Sequence, residues 1–331
     1  YGIGLHPFLS ASNDAEGNES SRRKTPRCSE AKLCFRIRIT MYERILTDFD
    51  IKSIMDSGQV FRIRPLSAAG ETFLAAAGNH AVLIRQKPES EDRMRVSFSC
   101  TEEDFSDFWN SYFDLDRDYE AIRRSVDPED AFLTSAIRCG YGIRILRQDL
   151  WETIISFLVS QNNNITRIRR SLEALCERYG EKISVNAFPD GPDDSLTDGS
   201  VHAFPSPEAV LEGGPDGLDG LGLGYRDKYI FRMAQRCAGP QGREWLDLLQ
   251  KSSYEDALAL LLKEYGIGKK VADCICLFAL HHVDAFPIDT HMKQILAAFY
   301  PEGFPFSRYE GYAGILQQYM FYYKLTQRRT S

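Results

Sequence analysis

Two glycines bracket one residue between two helical runs in YEDALALLLKEYGIGKKVADCICLFALH, residues 254–281. A linker as short as Gly266-Ile267-Gly268 forces the helices to turn back on each other, and glycine permits the sharp turn. The open N–H groups at the start of the second helix then lie beside the turn, where they suit a phosphate oxygen. A plain tight connection uses the same residues, so the turn alone does not decide function. The second helix is apolar around nearly its whole circumference, which places it in the interior. It nevertheless opens with Lys269 and Lys270, cations at the positive end of a helix dipole, at a cost of roughly a few tenths of a kcal/mol.

Helical spacing separates the two lysines. Counting in fours puts Lys270, Cys274 and Phe278 on one face, so Lys270 stands a turn below a thiol and an aromatic ring. Poor hydration there favours the neutral, nucleophilic amine. Lys269 is rotated by about 100° and is expected to stay in water, free to meet a phosphate. Two merely solvated lysines are the ordinary alternative. Downstream, in DAFPIDTHMKQIL, Pro287 stops any helix and Asp289 stands where an N-cap belongs. Hydrogen bonds from the capped N–H groups favour its carboxylate form. A fold that returned it to the lysine would place a fixed anion beside a candidate nucleophile; capping alone is the plainer reading.

The rest of the chain sets the frame. At 331 residues it is long enough for an ample core, and 43% hydrophobic with 26% charged residues is ordinary for a globular protein. A net charge of −7 argues against a chain-wide basic nucleic-acid binder but leaves room for a local patch. No apolar run approaches the roughly 18 residues of a membrane span. The eight cysteines are scattered and none follows Cys276, which suggests reduced intracellular thiols. Residues 1–40 carry a polar run and are expected to be a disordered extension without a signal peptide, Met41 being the functional start. Residues 41–118 are β-rich: AVLIRQ and RMRVSFSC flank KPESED as a hairpin would.

From 119 to 331 the texture is helical. Asp149 and Glu152 have capping-box spacing before LWETIISFLVSQ, and Ile168, Leu172, Leu175 and Cys176 form a stripe after the asparagine run. Residues 186–222 are loop-rich, with FPDGPDDSLTDGS and EGGPDGLDGLG expected as surface insertions. The fold class is therefore α+β: an N-terminal antiparallel β domain followed by a mainly α-helical body with a helix-hairpin-helix at about 254–281.

YGIGKKVADC, with Asp289 nineteen residues beyond Lys270, resembles the helix-hairpin-helix DNA glycosylases of the Gly/Pro/Asp type. SGQVFR, SFLVSQNNNITRIRR, GLGLGYRDKY and KKVADCICLFALHHVDAFPIDTHM, in that order, look like the 8-oxoguanine branch over roughly residues 41–325.

The resemblance implies a bifunctional glycosylase and lyase in which Lys270 attacks C1′ of a flipped nucleotide and Asp289 assists. It implies a base pocket of Gly58, Cys274, Gln317 and Phe321. Gln317 and Phe321 share a helix face, although the adjacent Gln318 and Tyr322 leave the register open. It implies DNA contacts by Asn162, Arg167, Tyr225, Arg226, Gly266, Gly268, Lys269 and His291, with both arginines donating to the orphaned cytosine. No cofactor or metal is implied, the iron–sulfur cysteines of related enzymes being absent after Cys276. The implied partner is double-stranded DNA, bound by a monomer in the nucleoid or the nucleus. Competing readings are a glycosylase of this fold for another base, and a helix-hairpin-helix module that only grips DNA. The acidic loop 189–198 is expected on the side away from DNA.

Overall fold

The alternating runs between residues 42 and 98 pair as a five-stranded antiparallel sheet. In the computed structural model the described residues are 40–66, 72–90, 92–190 and 199–330. The expectations for residues 1–39 and for the acidic stretch 191–198 lie outside them. The strands are β1 (Tyr42–Thr47), β2 (Ile63–Pro65), β3 (Thr72–Ala77), β4 (His80–Pro88) and β5 (Arg93–Phe98), in the order β1-β5-β4-β3-β2. The hairpin expected around KPESED is β4–β5, with Pro88 opposite Met94.

β3 is buried at every position, so the sheet needs cover on both faces. Phe73, Ala75, Val82, Ile84, Val96 and Phe98 pack on helix α1 (Ile51–Asp56) and on the helical stretch 102–112. The β-rich segment therefore carries helices of its own, capped by Asp50 and by a reciprocal Thr101–Asp104 box. Leu74, Ala76 and Leu83 on the other face are covered by Val185, Phe188 and Val201. This corrects the expectation of a surface insertion at the start of FPDGPDDSLTDGS, where Phe188 is buried. The segment 182–202 contributes a two-stranded ribbon, β6 (Lys182–Ser184) with β7 (Ser200–His202), and seals the sheet. Its apolar residues are too widely spaced to show a period, so sequence pattern missed them.

The helical body contains α2 (Tyr119–Arg124), α3 (Ala131–Cys139), α4 (Leu150–Ser160), α5 (Ile165–Tyr179), α6 (Pro207–Glu212), α7 (Asp227–Cys237) and α8 (Gly239–Lys251). It ends with α9 (Tyr254–Leu261), α10 (Lys269–Phe278), α11 (Thr290–Phe299) and α12 (Ala313–Thr330). α4 and α10 are its centre: Leu150–Val159 and Val271–Phe278 are buried without interruption.

Asp149 caps α4, accepting from the Glu152 N–H at 2.8 Å. Glu152 does not return the bond. Its carboxylate accepts from the Gly78 N–H at 2.7 Å and ties α4 to the β3–β4 turn, so the expected capping box is half formed. The six cysteines among the described residues are unpaired, and no helix there is long and apolar enough to cross a membrane.

Candidate active site

The N-terminal turn of α10 faces a pocket closed by four other parts of the chain. α10 brings Lys270, Cys274 and Phe278, the face that counting in fours selects. The turn after α1 brings Ser57 and Gly58, α12 brings Gln317, Gln318 and Phe321, and the segment before α11 brings Pro287 and Asp289. Phe157 of α4 lies beneath, its ring centroid 5.1 Å from Lys270 Nζ. Lys270 is half-buried and Cys274 fully buried. Burial pushes the Cys274 thiol up, against the charge and hydrogen bond of Lys270. Asp289 is the N-cap of α11, its Oδ1 accepting from the Met292 N–H at 2.8 Å. Amine and carboxylate thus open on one pocket although nineteen residues separate them.

Lys269 has a partner that the expectation did not include. Its side chain is 65% exposed, but its ammonium pairs with Asp273 Oδ2 at 3.1 Å, one turn along α10. The buried Asp273 carboxylate also accepts from the Tyr254 hydroxyl at 2.8 Å. Lys269 thus stays in water as expected, with its ammonium paired to a carboxylate of its own helix. The i,i+4 spacing of Lys269 and Asp273 was the signal that could have found this pair.

The two hairpin glycines differ. Gly266 has φ +90°, and a β-carbon there would lie 2.7 Å from Tyr229 Cγ, so glycine is required. Gly268 has φ −94° with no heavy atom within 4 Å of a β-carbon. The turn thus needs one glycine, not both as the sequence suggested. Gly268 is also the N-cap of α10, where no side chain satisfies the first N–H groups.

Gly58 has φ +81°, and a β-carbon on it would meet Phe321 Cε1 at 3.3 Å. Gln317 donates to the Pro287 carbonyl at 3.1 Å, while its buried Oε1 has no hydrogen-bond partner among the described residues. Gln318 instead donates to the Ser57 carbonyl, so Gln317 carries the unclaimed acceptor. Phe321 packs edge-on against His291, ring centroids 6.1 Å apart.

A second cluster forms at the end of α4. Asn162 is exposed at φ +46°, a conformation asparagine tolerates better than most residues. Its carbonyl accepts from Arg226 Nη2 at 2.8 Å, the Gln161 carbonyl from Arg226 Nε at 2.8 Å and the Leu223 carbonyl from Nη1 at 3.0 Å. Arg226 is 5% exposed, so its donors turn inward and hold this loop, contrary to the open guanidinium expected. Tyr225 stacks over it, ring centroid 4.6 Å from the guanidinium carbon, and is itself half exposed.

Asn163 and Asn164 serve the turn between α4 and α5. Asn163 donates to the Val159 carbonyl, and Asn164 caps α5 by accepting from the Arg167 N–H at 3.0 Å. Gln161 Nε2 donates to the Gly266 carbonyl at 3.0 Å, joining this loop to the hairpin. Exposed Asn162, Arg167 and Tyr225 thus belong to the same braced set of turns as the hairpin. Sequence reasoning missed Ser57 and Phe157, which carry no periodic or charge signal. No group of three metal-ligating side chains occurs among the described residues.

Residues 42–154 match the family described as 8-oxoguanine DNA glycosylase, N-terminal domain, and residues 155–302 match the HhH-GPD superfamily base excision DNA repair protein. The N-glycosylase/DNA lyase of Saccharomyces cerevisiae is 35% identical over 163 residues, 46% of this chain, and the match spans 41% of that relative's own length. The structure of MBOgg1 in complex with a low affinity DNA ligand superposes with a TM-score of 0.74 at 32% identity, covering 86% of this chain and 96% of that one. The 8-oxoguanine glycosylase/lyase of Clostridium acetobutylicum, in complex with double-stranded DNA containing cytosine opposite to 8-oxoG, gives 0.74 at 28% identity, with 88% and 100% covered.

Proposed function

Because this chain belongs to the 8-oxoguanine DNA glycosylase family, we propose that it excises 8-oxoguanine from double-stranded DNA opposite cytosine, as a glycosylase with lyase activity. The observation that carries the reading is the single pocket shared by Lys270, Asp289, Gly58, Cys274, Gln317 and Phe321.

C1′ of a stacked nucleotide is out of reach, so the damaged base must leave the duplex and enter the pocket. The neutral Lys270 amine then attacks C1′. The new N–C1′ bond forms as the bond to the base breaks; the base leaves with the electron pair and takes a proton. Opening of the sugar gives a Schiff base. Loss of a C2′ proton expels the 3′ phosphate and nicks the strand. Asp289 stabilises the cationic sugar and handles protons, its carboxylate oriented by the α11 cap.

Recognition follows from hydrogen-bond polarity. 8-Oxoguanine carries N7–H where guanine carries an acceptor, so the Gly58 carbonyl is satisfied by the lesion and repelled by guanine, a difference of about 1–3 kcal/mol. The unclaimed Gln317 Oε1 accepts from the Watson–Crick edge, between the faces of Cys274 and Phe321. Asn162 fills the gap in the duplex, Tyr225 wedges beside the opposite base, and the exposed Arg167 donates to cytosine. Arg226 acts through the loop it holds. The uncapped N–H groups at Gly268 take a backbone phosphate, and His291 lies toward the flipped nucleotide's own phosphate. The site of action is wherever the genome is held, nucleoid or nucleus.

Borohydride trapping tests this. A covalent adduct on an 8-oxoguanine duplex, absent in Lys270→Gln and present in Lys269→Gln, is the expected result. Adduct only on other lesions means another base specificity; no adduct on any damaged duplex means a non-catalytic DNA-binding module.

A further inference from the structure

Arg62 is 5% exposed, yet its Nε and Nη1 have no hydrogen-bond partner among the described residues. Nη2 donates to the His202 carbonyl, and the nearest carboxylate, Glu152, lies 3.8 Å from Nη1, beyond hydrogen-bond range. Leaving guanidinium donors buried and unused is costly. Arg62 borders a cavity of about 210 Å³ distinct from the Lys270 pocket, and Arg64, Arg169 and Arg170 border the same space. Arg62 and Arg64 come from edge strand β2 and the residue before it, the other two from the second turn of α5. Arg169 also donates to the Met55 carbonyl at 3.2 Å, which fixes that wall. Glu173 is the single carboxylate on the lining. Against these four guanidinium groups stand two carboxylates, Glu152 ion-paired with Arg62 and Glu173 on the lining, so the space keeps an excess of positive charge.

We propose that this cavity binds a phosphate group. Guanidinium forks match the oxygens of both carboxylate and phosphate, but forks converging from a strand and a helix suit a tetrahedral anion better than a planar one. The volume equals that of several water molecules at about 30 Å³ each, enough for such an anion. Phosphate could arrive as part of a DNA strand, since α5 starts at the Asn162–Asn164 loop, or as a free phosphate.

The test uses the full chain and inorganic phosphate, with chloride at matched ionic strength as control. Variants are Arg64→Gln with Arg170→Gln, both at solvent-accessible positions, and separately Glu173→Gln. Phosphate is expected to raise Tm saturably in the parent, less in the arginine variant and at lower concentration in Glu173→Gln, a gain that a purely structural role would not produce. Duplex affinity against salt separates the sources. A log–log slope reduced by about 1 in the arginine variant assigns a DNA phosphate, whereas a phosphate-specific Tm shift with unchanged slope assigns a free one. No phosphate-specific shift together with an unchanged slope overturns the proposal. Trapping reads Lys270 and this titration reads the arginines, so the two proposals fail separately.

Discussion

Gln161 and Gly266 are joined by a 3.0 Å hydrogen bond from side-chain amide to backbone carbonyl, across more than one hundred residues of sequence. Behind that bond, Arg226 gathers the carbonyls of Gln161, Asn162 and Leu223. The loop proposed to enter the duplex and the hairpin proposed to hold its phosphates are therefore braced by the same buried guanidinium. Arg226→Lys replaces a planar fork by one ammonium that cannot serve three carbonyls in those directions. We predict a stability loss of about 1–3 kcal/mol, read as a lower urea midpoint, together with weaker duplex binding. An unchanged midpoint would show that the brace carries no energy.

The two hairpin glycines give a paired prediction. Gly266→Ala must move the Tyr229 ring and hold an unfavourable φ, so we expect a loss of about 1–3 kcal/mol. Gly268→Ala meets nothing within 4 Å at an ordinary φ, and its stability should stay within about 0.5 kcal/mol of the parent. If Gly268 is glycine because a phosphate approaches it, the second variant loses duplex affinity without losing stability. Thermal unfolding and duplex titration, run side by side, decide this; a Gly268→Ala protein that binds duplex as the parent does removes the phosphate role.

Gly58→Ala presses a methyl group towards Phe321 at 3.3 Å and strains a backbone at φ +81°. We expect a stability loss of about 1 kcal/mol and a much larger loss of excision. A displaced base misaligns C1′ from Lys270, and misplacement on the order of 1 Å costs about 100-fold in rate. Single-turnover excision measured against Tm checks it. A rate that falls only in step with stability would separate Gly58 from base recognition.

Asp114 is a stability prediction away from the pocket. Burial alone would raise its carboxyl, but the hydrogen bond and charge of His281, with the charges of Arg117 and Arg147, hold it well below the ordinary carboxylate range. The folded state then binds fewer protons than the unfolded one above the folded value. The stabilisation is present above roughly pH 4, the ordinary carboxylate value, and is lost as pH falls below it. Asp114→Asn should therefore cost about 3–5 kcal/mol at pH 7, and parent and variant should converge in acid. Denaturant midpoints between pH 7 and pH 3 test this; a gap that stays constant with pH refutes the assignment.

The legible parts of the site were those written at helical spacing. Lys270, Cys274 and Phe278 repeat every four residues, Gln317 and Phe321 do the same, and Asp289 announces itself as a cap before an amphipathic run. The sheet declared itself in alternating strands and one hairpin, but the residues that seal its far face, Val185, Phe188 and Val201, have no period.

Local chemistry along the chain was enough to settle which residues share a helix face, where helices begin and which turn demands glycine, because those properties depend on neighbours within about one helical turn. Packing between distant segments alone decided that Phe157 lies under Lys270, that Arg226 points inward and that four arginines meet around one cavity. The direction of a long side chain is set by the carbonyls and charges it finds across the fold, and those partners are nowhere near it in sequence.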